Sequence, residues 1–375
     1  MIYFSPFVSM SNRRDAKMEK ISVRILHLAN HCNRANGHVH VSVDMACTQV
    51  KQNHIVAYAC SGGDYVELLQ KNGVRVFFLP EPHRNFKKFF AALGRFYYII
   101  KNFKPDVVHV HMAAQNVLVQ PYRLFGLKTV TTIHNEFDRS VRLMGLASRI
   151  VSVSKRGAEA MHRHGFPRSK IRVVTNGPVN SPRLPRAFEA VSLQHPALVT
   201  VCGMHHRKGI VDLLHAFKLV LADHPETYLY LVGEGPSRAE YEALARSLGL
   251  GGRAVFVGHL IDPRPYMFAA DIFVLASHFD PGPLVVAEAR HAGCAIVATN
   301  VDGIPEMLDD GLSGILVPSK QPEALARALK QLLANPAEIE RYAALAKRNV
   351  ERFAIERVCW DMERVYGEIL GHEAS

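Results

Sequence analysis

Short runs of apolar and β-branched residues alternate with helix-like stretches along most of this chain, and the alternation occurs twice, on either side of a proline-rich passage. In the first half the runs are "ISVRILHL" (21–28), "HIVAYAC", "VRVFFLP", "PDVVHVH", "KTVTTIH", "RIVSVS" and "IRVVTNG". Helical patterns lie between them over 41–49 and in "YVELLQKNG", which closes on Gly73. Strand, helix and strand in succession call for parallel pairing with helices on both faces of a sheet. From Pro178 to Pro196 the chain has four prolines and no period, which reads as a linker. The alternation then restarts with "ALVTVCG", "TYLYLVGEG", "AVFVGHL", "DIFVLAS", "CAIVAT" and "GILVP", with helices expected over 210–222, 237–248 and 284–292. The pattern predicts two Rossmann-like units in tandem. The divisions expected are an extension at 1–20, a first domain at 21–178, a linker at 179–197, a second domain at 198–350 and a last helix within 351–375.

Length agrees, since 375 residues exceed what one core usually organises. The six cysteines lie far apart with no C-x-x-C pair, so neither a disulfide framework nor a zinc ribbon is suggested, and a reducing, cytoplasmic setting is expected. No apolar run reaches the roughly 18 residues of a membrane span. The opening "MIYFSPFVSM" has its charges after the apolar part, the wrong order for a signal peptide, and is read as a loose extension with Met18 available as an internal start.

Charge is unevenly shared. Residues 1–178 hold 26 Lys and Arg against 10 Asp and Glu, a net +16, whereas 179–375 hold 19 against 24, a net −5. A basic front half suits an anionic partner. No nucleic-acid recognition motif accompanies it, and nucleic acid is the partner least expected. The segment 84–104 reads as a helix with Arg84, Lys87, Lys88 and Arg95 on one side and Phe89, Leu93, Phe96 and Ile100 opposite. The plain reading is a packed helix with a solvated basic face; the sharper one is a face drawn to anionic lipid at a membrane's inner surface.

In open parallel sheets, ligands gather beyond the carboxyl ends of the strands. That singles out 30–37, 109–111, 134–136, 203–209, 233–235, 258–260 and 278–284. The last leads into "FDPGPLVVAEARHAG" (279–293), where Asp280 follows a buried-strand run and Glu288 falls about one turn inside a helix. A loop running into a helix start offers unpaired amides and a positive dipole end, which suit phosphate. Taken alone, Glu288 is as readily a solvated helix residue and Lys208 a surface lysine.

The segment 280–306, "DPGPLVVAEARHAGCAIVATNVDGIPE", resembles the signature of retaining glycosyltransferases of family 4. The resemblance extends over about 21–370 and implies an α/β GT-B fold: two Rossmann-like domains facing each other across a cleft, the first binding acceptor and the second nucleotide sugar, with the last helix returning to the first. Carried over by position, Asp280 stands by the donor sugar, Gly282, Leu284 and Val285 offer backbone to the diphosphate, and Glu288 binds ribose hydroxyls. In "VCGMHHRKG", Gly203, Arg207 and Lys208 match a phosphate-contacting loop. Gly37 matches a glycine loop near the diphosphate, His134 a histidine near the donor sugar, and Gly258, His259 and Leu260 a strand end near the base. Three departures stand out: Asp280 where Glu is commoner, Pro283 without an N–H, and Met204 where Arg is usual.

Cations aimed at a departing diphosphate would stabilise the transition state without a metal. No metal is expected, because there is no Asp-x-Asp triad and the "HVH" runs at 38–40 and 109–111 show no evident third or fourth ligand. The expected chemistry is hexose transfer from a UDP- or GDP-sugar to a glycan or polyprenyl-linked acceptor in bacterial surface polysaccharide synthesis. Configuration is retained by front-face attack, with Asp280, His134 and Lys208 at the reacting centre. Covalent assistance by Asp280 is the less favoured route. The alternatives are a nucleotide-sugar epimerase on the same scaffold and a non-catalytic sugar-nucleotide-binding module.

Overall fold

A computed structural model describes residues 2–3, 22–34, 36–81, 86–134 and 141–371. The chain divides into two compact units, one of residues 4–185 with 353–375 and the other of residues 1–3 with 186–352. They are called the first and second units below.

The first unit holds a seven-stranded parallel sheet in the order Arg75–Phe78, Ile55–Cys60, Arg24–Leu28, Val107–Val110, Lys128–Ile133, Arg149–Ser152 and Ile171–Val173. The direction of winding reverses between Arg24–Leu28 and Val107–Val110. Alternating side chains divide the sheet's two faces. Leu26, Leu28, Ala57, Ala59, Val108 and Val110 pack under the helices Phe86–Phe103 and Ala113–Arg123 through Phe96, Ile99, Phe103, Leu118 and Val119. On the other face Tyr58, Val56 and Cys60 meet the helix Gly37–Lys51 through Val39, Val43, Ala46 and Cys47. The helix Ile355–Leu370 belongs to this unit.

The second unit repeats the design with six parallel strands in the order Ala254–Gly258, Tyr228–Val232, Ala197–Val201, Ile272–Leu275, Ala295–Thr299 and Ile315–Val317. Its reversal lies between Ala197–Val201 and Ile272–Leu275. The helices Ile210–Asp223 and Pro322–Leu333 supply Leu213, Phe217, Leu325 and Leu329 to its core.

The proline-rich stretch expected at 179–197 is not one free connector. Arg183 pairs bidentately with buried Asp44 at 2.8 and 2.9 Å, and Ser181 Oγ donates to the same carboxylate at 2.7 Å. An isolated buried carboxylate is costly, so this pairing holds the segment as far as Pro185 on the first unit. From Arg186 the chain belongs to the second unit, where Ala187–Phe188 pairs antiparallel with Ile2–Tyr3. The remainder of the expected extension at 1–20 lies outside the described residues. All six cysteines are buried and free, and among the described residues no helix is long and apolar enough to cross a membrane.

Candidate functional site

In the second unit, the loops leaving the two central strands meet at the reversal of strand order. Lys208 sits in the loop after Ala197–Val201 and Asp280 in the loop after Ile272–Leu275, and Lys208 Nζ donates to Asp280 Oδ2. Both side chains are buried, and Ser277 Oγ donates to the same carboxylate oxygen at 3.3 Å. The Asp280 amide donates to Asp302 Oδ2 at 2.6 Å, and the Gly303 amide to Asp280 O at 3.4 Å, tying the acid-bearing loop to the loop after Ala295–Thr299. Arg207 Nη1 donates to Phe279 O at 3.3 Å, and the His278 amide to Arg207 O at 2.7 Å. His278 Nε2 meets Asp212 Oδ2 at 2.6 Å.

Glycine is required where these loops cross. Gly209 has φ +65° and a Cβ there would run into Ala276 O; Gly233 has φ +139° and a Cβ there would strike Cys202 O. A Cβ on Gly235 would approach Met204 N at 2.7 Å. Met204 is buried in the unit's core, so the residue standing where a cation was expected is a packing residue. Arg207 is the exposed cation of the loop, beside an open depression also lined by His205, His206, Pro236, Ser237 and Glu240.

The helix Leu284–Ala292 starts directly behind Asp280, with Pro283 as its N-cap and Gly293 (φ +82°) closing it. Gly282 lies in the entry loop, Leu284 and Val285 open the first turn, and half-buried Glu288 is one turn further along. The helix is held at its rear by Arg290, fully buried, which donates to Ala346 O at 2.8 Å, Met307 O at 2.6 Å and Arg348 O at 2.7 Å and pairs with Asp309 at 3.0 Å. Gly258 ends its strand at φ +90°, followed by exposed His259 and half-buried Leu260. Gly203 is exposed at the start of the lysine loop.

In the first unit, Gly37 opens the helix Gly37–Lys51 behind Asn36, and His134 follows the strand Lys128–Ile133. Here the structure corrects the sequence reading of the "HVH" run at 109–111. A third histidine is present, because parallel register sets His27 opposite His109, and His27, His109 and His111 gather fully buried at the reversal of strand order. His27 Nδ1 meets His111 Nε2 at 3.0 Å, and His111 Nδ1 meets His134 Nε2 at 3.3 Å. His27 Nε2 meets Gln49 Oε1 at 2.8 Å, while His109 contacts Tyr366 Oη at 2.8 Å and Thr132 Oγ1 at 2.7 Å. Every ring nitrogen of the three central histidines therefore has a hydrogen-bond partner. Two ligands of one tetrahedral metal at about 2.0–2.1 Å would stand roughly 3.3 Å apart, and the 3.0 Å between His27 and His111 is a hydrogen-bond length.

Burial makes the charged form of these rings costly, and like neighbours add to the effect. His27 is lowered to about 4 by desolvation, against which its bond to Gln49 works; His38, 5.9 Å from the His134 ring, is lowered to about 4 by desolvation and by His31. His134 is lowered to about 3 by desolvation and by His38; His109 is held well below the usual range by desolvation and then by His27 and His134, and His111 by desolvation and then by His109, His27, His134 and His38. The cluster is neutral at pH 7.

Two Rossmann-like sheets, one with a lysine–carboxylate pair and a helix start at its switch point, define an α/β protein of two open parallel sheets. A family model described as Glycosyltransferase Family 4 matches residues 22–178, and one described as Glycosyl transferases group 1 matches residues 186–352. The chain belongs to the glycosyltransferases of family 4. It is 32% identical over 180 residues to the lipopolysaccharide core biosynthesis glycosyltransferase LpsE of Rhizobium meliloti, covering 48% of this chain and 52% of that one. It is 27% identical over 271 residues to the glycogen synthase of Mycobacterium tuberculosis, covering 67% and 65%. The match thus spans about half of the first relative's length and just under two thirds of the second's. Among solved structures, Anabaena HepE in complex with UDP and glucose superposes with a TM-score of 0.76 at 17% identity, over 92% of this chain and 99% of that one. WaaG, a glycosyltransferase involved in lipopolysaccharide biosynthesis, superposes at 0.72 and 16%, over 92% and 99%. These likenesses establish the GT-B fold.

Proposed function

We propose that this protein is a retaining hexosyltransferase that uses a UDP- or GDP-linked donor and a glycan or lipid-linked acceptor in surface polysaccharide synthesis, without a metal. The observation that carries the reading is the Lys208–Asp280 pair at the switch point of the second unit, directly before the helix that bears Glu288. When the glycosidic bond to the diphosphate breaks, negative charge grows on the leaving oxygen. Lys208 and Arg207, with the Leu284 and Val285 amides, are the cationic and dipolar groups suited to receive it, an interaction stronger in the transition state than in the ground state. Asp280 holds Lys208 in place before the diphosphate arrives and lies where the sugar would sit. Glu288, one turn inside, accepts hydrogen bonds from ribose hydroxyls. His134 positions the sugar, and the leaving oxygen takes the acceptor's proton in front-face attack. The polysaccharide setting is supported by LpsE and WaaG, and a UDP donor by HepE.

Thermal shift with UDP, GDP, ADP and their sugars tests the donor, because a ligand selective for the native state raises its melting temperature. Labelled donors test the reaction: acceptor-dependent nucleotide release supports transfer, epimerised donor would replace it with epimerisation, and binding without turnover would leave a binding module.

Membrane attachment also belongs to this proposal, with a changed face. Arg84 lies outside the described residues, and Arg95 is half-buried, donating to Phe78 O at 3.0 Å and stacking on Tyr98. Lys87, Lys88 and Lys101 are exposed beside Phe90, Tyr97 and Tyr98, a basic and aromatic surface suited to anionic headgroups. Lys87→Glu with Lys88→Glu should abolish co-sedimentation with anionic vesicles; retention at the wild-type level would remove this part.

A further inference from the structure

The buried histidines of the first unit form one directed chain. A neutral imidazole carries one N–H and one lone pair, so in a row of such rings the proton at one end fixes every other. Gln49 sets that end: its Oε1 faces His27 Nε2, while its amide nitrogen faces Tyr366 Oη at 3.4 Å. With Oε1 accepting, His27 holds its proton on Nε2 and its Nδ1 must accept from His111 Nε2–H. His111 Nδ1 must then accept from His134 Nε2–H. On the parallel branch Gln49 donates to Tyr366, the Tyr366 hydroxyl donates to His109 Nδ1, and His109 Nε2–H donates to Thr132 Oγ1. No ring nitrogen of His27, His109 or His111 lacks a partner, and no contact along either branch has two protons. Among the described residues His134 Nδ1 has no hydrogen-bond partner, and the ring is only half-buried at its strand end.

We infer that Gln49, His27 and His111 are positioning residues that lock His134 as the Nε2–H tautomer, so that Nδ1 is presented as a hydrogen-bond acceptor for a sugar hydroxyl. The hydroxyl as ligand rests on the proposed function; the tautomer does not. The arrangement explains why four histidines of the sheet's strands and strand ends meet a glutamine and a tyrosine from the helices Gly37–Lys51 and Ile355–Leu370 where apolar residues would pack at lower cost. A fully satisfied network specifies one orientation of its terminal ring, and a hydroxyl bound there needs an acceptor already in place. The cluster's neutrality over the ordinary pH range keeps the chain's direction intact.

The test is a 15N-edited NMR spectrum of the full chain labelled on its histidine rings, at pH 7 and without substrate. His27, His111 and His134 should each show a protonated Nε2 and a bare Nδ1. A protonated Nδ1 on His134, or a mixture of its tautomers, would overturn the inference. Gln49→Met, which removes the anchoring oxygen at similar size, should turn the single His134 pattern into a mixture; an unchanged pattern in a folded variant would also overturn it. The wild-type spectrum carries the test if that variant does not fold. Because no sugar is present, sugar transfer with His134 protonated on Nδ1 sinks this inference alone, while the expected spectrum in a protein that transfers nothing sinks the proposed function alone.

Discussion

Acidification should destabilise the first unit between pH 6.5 and about 4, ahead of general carboxylate protonation. A histidine whose pKa is lowered by folding stays neutral in the native state while its unfolded counterpart takes up a proton below about pH 6.5. The unfolded state then binds more protons, so stability is complete above that pH and falls as pH falls, until the folded pKa is reached. For His27 and His38 that end lies at about 4, and for His134 at about 3. At pH 5 each is still neutral in the fold, and the loss is about 1.4 kcal/mol per pH unit below 6.5, or roughly 2 kcal/mol per ring. Three independent rings would lose about 6 kcal/mol, comparable with the ~5–15 kcal/mol stability of a typical protein. Urea unfolding at pH 7 and pH 5 reads this out through Trp360, the single tryptophan, carried by the helix Ile355–Leu370 of the first unit. The midpoint should fall markedly at pH 5. The same midpoint at both pH values would refute the burial argument, and a loss beginning only below pH 4 would assign the acid sensitivity to carboxylates.

Other perturbations act on the second unit. Glu288→Ala should weaken UDP or GDP binding by about tenfold or more, the worth of a charge-assisted hydrogen bond, and calorimetric titration with an unchanged affinity would remove the ribose assignment. Lys208→Met leaves the buried Asp280 carboxylate to the Ser277 hydroxyl, which donates to it at 3.3 Å; breaking such a pair costs about 3–5 kcal/mol, and adding Asp280→Asn should recover part of the lost urea midpoint. Arg290→Met strips the donor from three carbonyls and from Asp309, so about 3 kcal/mol or more of stability should be lost by urea titration, and nucleotide affinity should weaken as the Glu288 helix loosens.

The sheets were legible because parallel strands covered on both faces read as unbroken apolar runs. Helix bounds were legible where a breaker stood at the end, as with Leu284–Ala292 before Gly293. The helix Gly37–Lys51 begins four residues before the expected 41, because "HVHVSV" alternates like a strand until the buried face of a helix claims it. The helix Pro336–Ala346 buries only Ala346 among its residues and so leaves little periodic signal. Strand order was not legible at all. It is set by crossovers between distant segments, and those crossovers place the loops of Lys208 and Asp280 side by side although the residues are 72 apart in sequence.

The site divides in the same way. Asp280 and Glu288 share one loop and one helix, so local spacing reveals their relation. The contribution of Arg290 was hidden by its charge, because an arginine on a helix is expected to face water; only the carbonyls of 307, 346 and 348 converging on it explain full burial. The histidine chain was hidden by register. "HVH" at 109–111 puts two rings on one face, but His27 joins them only through the pairing of Arg24–Leu28 with Val107–Val110, and Gln49 and Tyr366 arrive from helices more than 300 residues apart in sequence. A buried polar group needs a partner wherever the chain can supply one. Three buried histidines at a switch point are therefore a signal that sequence can raise and only tertiary structure can resolve, into a metal site where the nitrogens converge or a proton chain where they follow one another.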